Sequence, residues 1–407
     1  MKDKIISILN KKIKNSHLLL FFIFLIGFIL RIYNLTILPP YTDEYNHLLA
    51  VKNIIEDGFT DYDRAYLLSI IIKTIIQNVN LLNFDQFLFW SRVPGVIFSS
   101  ISIFPIYFLG KKIKKEIGII SAFLWAISPW SIGIARTIRE YSLYTLIILI
   151  ILALTVNLFD LIKRYNKKNN FKISLTLIII SFFFFYSYII DHLSTLKIGI
   201  AILLISFIYF LIFHFKKIGR FIKTPSSKKL LIFLIFFLSI PTLIIIIKIF
   251  LKNPHFSILN INNNYQYLSL FFCNKSQVLN WWREIPGCFT PVLFLLIGLI
   301  WSFTNKNKDY FLHLFIFLGL LIFYTTFLER YFRPRYISYL LPFYSILIAS
   351  GLYALIENLN KKVNKKNKIF YLILTIAIIY LSFNPKNSVE APFIKDGSPS
   401  RLVRLQS

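Results

Sequence analysis

Apolar runs of about 20 residues, the length a helix needs to cross a bilayer, recur along this chain. They fall at 17–38, 88–110, 117–135, 141–162, 172–190, 195–215, 229–251, 286–304, 309–328, 335–357 and 367–383. The pattern predicts an all-α polytopic membrane protein with about eleven spanning helices. A further apolar stretch at 65–80 decides the topology of every later segment. In it Ser69, Lys73, Gln77 and Asn80 recur at near-helical spacing as one polar stripe, the mark of an amphipathic helix lying in the membrane interface. A lysine at the centre of a spanning helix would also cost roughly 3 kcal/mol. The stretch is therefore read as an amphipathic juxtamembrane helix within a first loop at 39–87.

The lysines support this reading. Lys11, Lys12 and Lys14, the KKIKK run at 111–115, and the basic runs at 163–172, 216–229, 306–308 and 361–368 all fall on one side if 65–80 does not span. By the positive-inside rule that side is cytoplasmic. The N-terminus is then inside, and the first loop, a later loop at 252–285 and a tail at 384–407 are extracytoplasmic. Composition agrees, because 57% hydrophobic residues with 43 phenylalanines exclude an ordinary soluble domain. The net charge of +28 then reports membrane orientation, and a nucleic-acid partner is rejected. The first apolar run lacks a small-residue cleavage site, so it is read as a helix and not as a removable signal. Cys273 and Cys288 leave a disulfide open and do not fix the compartment.

This orientation gathers a second set of residues on the extracytoplasmic side. The first loop holds Asp43, Glu44, Glu56, Asp57, Asp61, Asp63 and Asp85; later rims hold Arg136, Arg139 and Glu140, then Asp191 and His192, then Arg283 and Glu284, and finally Glu329, Arg330, Arg333 and Arg335. Each alone reads first as a solvated loop charge. Asp43 and Glu44 follow Pro39 and Pro40, which end the first span, and start a helical pattern in which Leu48, Val51 and Ile55 share a face and Gly58 ends the run. Asp43 is either an N-cap or a general base toward an incoming hydroxyl. Glu44 lies about 100° round the same helix, so the two carboxylates have different tasks. His47, one turn on, is open between a sugar contact and plain packing.

Arginine at a membrane rim suits a phosphate, since its planar fork offers paired donors to non-bridging oxygens. Arg136, Arg139, Arg333 and Arg335 are candidates for that role, weighed against simple anchoring. Arg31, in the outer third of the first run, reads as a snorkelling anchor. The sequons at Asn34 and Asn274 read as chance matches in a chain rich in isoleucine, lysine and asparagine, and the closing 397–407, which departs from that bias, as an appended segment. No cluster with metal-ligand spacing stands out. A divalent ion bridging Asp43, Glu44 and a phosphate fits the residues without being required.

Several segments, in order, resemble one family. LRIYNLTILPPYTDEYNHLLA, WSRVPGVIFSSISIFPIYFLGKKI, IISAFLWAISPWSIGIARTIREYSLYTL, SYIIDHLSTLKIG and RPRYISYLLPFYSILIASGL are similar to the protein O-mannosyltransferase and aminoarabinose transferase group of GT-C glycosyltransferases, over about residues 22–355. The resemblance implies transfer of a sugar from a polyprenyl-phosphate donor, with inversion, to a lipid, glycan or protein acceptor. It makes Asp43 the base or acceptor-orienting carboxylate and Glu44 its partner. It also places Arg139, Glu140 and Arg335 near the donor phosphate and leaves His192 a substrate contact. The family often has a larger late loop or a soluble domain after the last span, and neither is long enough here. A lipid-glycan flippase or transporter is the main alternative, disfavoured by the lack of internal repeats and by charges gathered at one rim. A lipid-linked glycan polymerase or ligase, with its key residues in the loop at 252–285, is the other.

Overall fold

The computed structural model describes residues 2–37, 39–40, 42–58, 66–79, 83–163, 176, 179–180, 297–301 and 341–362, without the side chains of 2–16, 42–43, 66, 129, 159, 162–163 and 358–362. Among these residues all regular structure is helical: α1 (Lys2–Ile32), α2 (Thr42–Glu56), α3 (Tyr66–Gln77), α4 (Phe84–Ile101), α5 (Ile103–Ile113), α6 (Lys115–Ile127), α7 (Pro129–Ala135), α8 (Tyr141–Lys163) and α9 (Leu341–Lys362). The chain divides into two compact units. One holds 1–146, 280–314 and 333–407, and the other 147–279 and 315–332. The candidate site belongs to the first.

Four of the predicted apolar runs appear as helices with shifted ends or internal breaks. The run at 88–110 is α4 followed end to end by α5, since Ser102 donates its amide to Phe98 and accepts from Ile106, so the ladder passes through the junction. Phe84–Ile113 and Tyr141–Leu158 are long and apolar enough to cross a membrane. The run at 117–135 breaks instead. α6 ends at Ile127, Ser128 is extended, and α7 opens on Pro129, which has no amide proton to continue the ladder. Of the run at 335–357, only the part within α9 is described, and of that at 286–304 only the helical residues 297–301. The expected spans at 195–215, 229–251, 309–328 and 367–383, and nearly all of 172–190, lie outside the described residues.

α3 occupies the stretch whose crossing was in question. It has 12 residues, about 18 Å at 1.5 Å per residue, against a hydrocarbon core of about 30 Å. Its buried face is Leu68, Ile72 and Ile76. The expected polar stripe is not a continuous wet face, because Ser69 is fully buried and Lys73 half-buried, whereas Gln77 is exposed. Asn80 lies outside the described residues. α2 likewise differs in one position: Leu48, Val51 and Ile54 are buried, while Ile55 is 39% exposed. The buried stripe is counted from His47, whose i+3, i+4 and i+7 neighbours are Ala50, Val51 and Ile54. Leu48, Val51, Leu68, Ile72, Ile76, Leu88 and Ile138, with the partly buried Phe87 and Phe98, form one apolar core that ties α2 and α3 to α4. Gly58, at φ +79°, ends α2 in the left-handed region that glycine enters without strain.

α5 and α6 form a tight hairpin because glycines face each other across it. A Cβ built on Gly118 would lie 2.7 Å from both Tyr107 O and Lys111 N, and one on Gly95 would lie 2.6 Å from Ala135 O. Both contacts are with backbone, which cannot rotate away. Gly118→Ala and Gly95→Ala are each expected to lower stability by about 1–3 kcal/mol, read as a fall in the thermal unfolding midpoint in detergent, whereas Ala126→Gly should not reproduce the effect through overpacking.

Candidate active site

The site is built on a fully buried arginine. Arg31, in the last turn of α1, has 0% exposure. Its Nε donates to Ser99 Oγ at 2.9 Å, Nη1 to Gly27 O at 2.7 Å and Ala126 O at 2.8 Å, and Nη2 to Trp125 O at 3.0 Å and Ser131 Oγ at 2.6 Å. A guanidinium has five N–H donors, and all five are used. The reason lies in the break after α6. The carbonyl of Trp125 would have met the amide that Pro129 lacks, and the carbonyl of Ala126 lies in the same unfinished turn. Arg31 takes both, and Ser131 Oγ closes on Trp125 O at 2.7 Å. The expected snorkelling anchor is thus an internal tie, because the acceptors exposed by a proline break outcompete the distant headgroups.

A second buried arginine, Arg92 of α4, fixes the first loop. It is 2% exposed and pairs with Glu44, which is equally buried. Arg92 Nε donates to Glu44 Oε2 at 3.2 Å and Nη2 to Oε1 at 3.4 Å, while Nη1 reaches Leu35 O at 2.8 Å and Nη2 reaches Pro39 O at 3.5 Å. The backbone amide of Ile138 donates to Glu44 Oε2 at 3.1 Å. One carboxylate therefore joins α2, α4 and the turn between α7 and α8, and Arg92 holds the exit of α1 against the start of α2. Sequence reasoning passed over Arg92. Its signal was available, since a charge eight residues into an apolar helix must find an opposite charge or several carbonyls.

Residues 136–140 form the turn facing α2. Arg136, half-buried, donates through Nη2 to Tyr33 O at 2.8 Å and to Asn34 O. Asn34 sits at φ +49° just past α1, a left-handed position that asparagine tolerates. Burial, and then the charge of Arg92, lowers the Arg136 pKa below the ordinary arginine value. Arg139, 8% exposed, donates to Tyr141 Oη at 3.0 Å and lies 5.3 Å above that ring. Glu140 is 6% exposed, with Oε2 3.4 Å from Nε2 of the fully buried His47 and 3.7 Å from Arg139 Nε. Burial alone would raise the Glu140 pKa. The contact with His47, the charges of Arg139 and His47 and its own amide outweigh that and hold it at about 2.

The structure thus brings Glu44, His47, Arg136, Arg139 and Glu140 together around the start of α2. Asp43 is in the first turn of that helix, beside Glu44; its side chain lies outside the described residues. His192, Arg333 and Arg335 also lie outside them. Among the described residues no group of three His, Cys, Asp or Glu side chains could hold a metal ion. The ion pair with Arg92 makes Glu44 a poor ligand for a divalent cation, since two guanidinium contacts and an amide already draw on its oxygens.

Two outcomes are expected. Arg31→Leu removes a donor from three carbonyls and two hydroxyls in the interior, at about 1–3 kcal/mol for each left unpaired, and should lower the thermal midpoint far more than any surface Arg→Leu control. Glu140 has a folded pKa depressed to about 2 from an ordinary 4.5, so its contribution to stability is complete above pH 4.5 and is lost as pH falls toward 2. Unfolding midpoints measured from pH 6 to pH 2.5 should fall less steeply in Glu140→Gln than in the wild type.

No family model matches the sequence, and no curated protein matches it either. Solved structures are similar to it in fold. The oligosaccharyltransferase of Archaeoglobus fulgidus tethered to an acceptor peptide superposes with a TM-score of 0.63 at 13% identity, over 92% of this chain and 55% of that one. The same organism's oligosaccharyltransferase AglB, with an inhibitory peptide and a dolichol-phosphate, gives 0.57 at 14% identity, over 92% and 55%. ArnT from Cupriavidus metallidurans gives 0.58 at 11% identity, over 90% and 64%. The chain therefore spans about half the length of the oligosaccharyltransferases it matches. Nine-tenths of this chain is nevertheless covered by each match, and its fold is the one that these oligosaccharyltransferases and ArnT share.

Proposed function

We propose that the protein is an integral membrane glycosyltransferase that passes a sugar from a polyprenyl-phosphate donor to an acceptor hydroxyl or amine, with Asp43 as the base. The observation that carries this reading is the clamp on Glu44. Arg92 and the Ile138 amide fix the start of α2 against the turn that bears Arg136 and Arg139, so the helix turn holding Asp43 is anchored beside two arginines. A fold shared with transferases, one of them in complex with a dolichol-phosphate, supports the donor class.

The chemistry follows from these residues. Asp43 accepts the proton of the acceptor as its oxygen or nitrogen attacks the anomeric carbon from the face opposite the phosphate. The bond from that carbon to the phosphate oxygen breaks, and its electron pair leaves on the phosphate, so the configuration inverts. No proton is needed by the leaving group if cations balance its growing charge, and Arg139 with Arg333, Arg335 and Arg136 supply that charge in this reading. Glu44 acts as a positioning residue, because its carboxylate is committed to Arg92. His47 and Glu140 hold Arg139 in place, and His192 contacts substrate. The lysine runs put the N-terminus in the cytoplasm and this chemistry on the extracytoplasmic side. Residues 1–383 form the transferase domain, and the acceptor is a lipid, a glycan or a protein.

The test uses purified full-length protein in vesicles with a labelled polyprenyl-phosphate sugar and a membrane extract as acceptor source, following release of polyprenyl phosphate. Asp43→Asn should lower release by about 10²-fold or more with an unchanged unfolding midpoint. Full release in that variant, or movement of intact donor between leaflets without release, would sink the proposal.

A further inference from the structure

The turn joining α5 to α6 contradicts the rules for helix ends. It carries Lys111, Lys112, Lys114 and Lys115 within five positions. Lysines suit the C-terminus of α5, but the next two sit at the N-cap and first position of α6, where the helix dipole is already positive and Ser, Thr, Asp or Asn is favoured. Lys114 makes no side-chain cap for α6. It turns away to Tyr353 of α9, donating to the phenol, lying 4.2 Å above the ring and 3.8 Å from Glu357. The first turn of α6 is left ringed by cations, with Glu116 as the acid in that turn. A local conflict of this kind marks a place where something other than stability has been selected.

A second observation names the ligand. Lys111 lies 5.7 Å over the Tyr107 ring and Lys112 lies 4.8 Å over the Phe108 ring. Directly behind them along the helices run Ile97, Ile101 and Phe104, at 37%, 38% and 41% exposure, spaced i, i+4, i+7 with Phe108 at i+11 and Lys111 and Lys112 at i+14 and i+15. One face of the α4–α5 rod is therefore an apolar track of about 16 Å from residue 97 to residue 108, exposed at Ile97, Ile101 and Phe104 and half-buried at Phe108, that ends in two ammonium groups. A soluble phosphate has no use for such a track. An acyl chain does, and its phosphate would meet the lysines and the unfinished turn of α6.

We infer that the α5–α6 turn binds the headgroup of an anionic glycerophospholipid whose acyl chain lies along Ile97, Ile101, Phe104 and Phe108. The position is remote from the transfer chemistry, since Arg92 and Lys111 are 19 residues apart on the same rod, about 28 Å. It does not depend on the proposed transferase activity. The lipid would instead steady the hairpin against α9, where Lys114 and Tyr353 already meet.

The experiment reconstitutes the full chain in nanodiscs of phosphatidylcholine and adds phosphatidylglycerol in steps, reading the thermal unfolding midpoint and the lipid retained after transfer to detergent. The midpoint should rise and saturate near one phosphatidylglycerol per protein. Lys111→Gln/Lys112→Gln should lose most of that rise, while the equal charge loss in Lys306→Gln/Lys308→Gln keeps it, and Phe104→Ser should weaken retention several-fold. Equal responses to phosphatidylcholine and phosphatidylglycerol would overturn the inference. So would an unchanged response in the Lys111/Lys112 variant, or the same rise from millimolar inorganic phosphate alone.

Discussion

A proline that cannot donate an amide sets the terms for this structure. Where α6 stops before Pro129, the carbonyls of Trp125 and Ala126 lose their regular helical partners inside the bundle, and an unpaired buried carbonyl is costly. Arg31 meets them, and in doing so its charge is spread over five hydrogen bonds from four helices. Neither partner is stable in the interior alone. An arginine without acceptors would be expelled toward the headgroups, and the broken helix without donors would have to unwind or straighten. Together they fix where α1 ends relative to α4, α6 and α7.

From that junction the loop geometry follows by short steps. α1 ends one residue beyond Arg31, its last carbonyls turn toward Arg136, and Leu35 and Pro39 accept from Arg92. The start of α2 is then close enough to α4 for Glu44 to complete the pair with Arg92. The Ile138 amide joins Glu44 because the turn after α7 is held by the same proline break. The apolar core around Val51, Ile72 and Leu88 supplies the burial that makes these polar contacts strong. Rigidity in such a site has a use, since catalytic groups act best when held in place before substrate arrives.

The sequence made the helices legible because their cue is composition over many residues, which survives errors at the ends. It showed that 117–135 was apolar but not that Pro129 would split it into two helices, although proline at a first helical position after serine is a known start signal. It placed Ile55 in the core where Ile54 sits, a one-residue error that a period of 3.6 permits at the end of a short helix. The buried arginines were the larger misreading. Arg31 near a helix end looks like an anchor when only its own helix is considered, and its true partners are 94 to 100 residues away at Trp125, Ala126 and Ser131. Arg92 was hidden for the same reason: what pairs it, Glu44, lies 48 residues off in a loop read for chemistry and not for packing. Adjacency of Asp43 and Glu44 was visible.

Asp43 and Glu44 are successive residues on α2, set about 100° apart round its axis, and the fold buries Glu44 against its core. Glu44 faces inward to Arg92 and is held there by the Ile138 amide as well. The clamp on Glu44 thereby sets the backbone of Asp43, the residue before it, to within a helical step. At Glu140 a second carboxylate is held at a pKa of about 2, 3.4 Å from His47 and 3.7 Å from Arg139, so it stays ionised near neutrality beside that guanidinium.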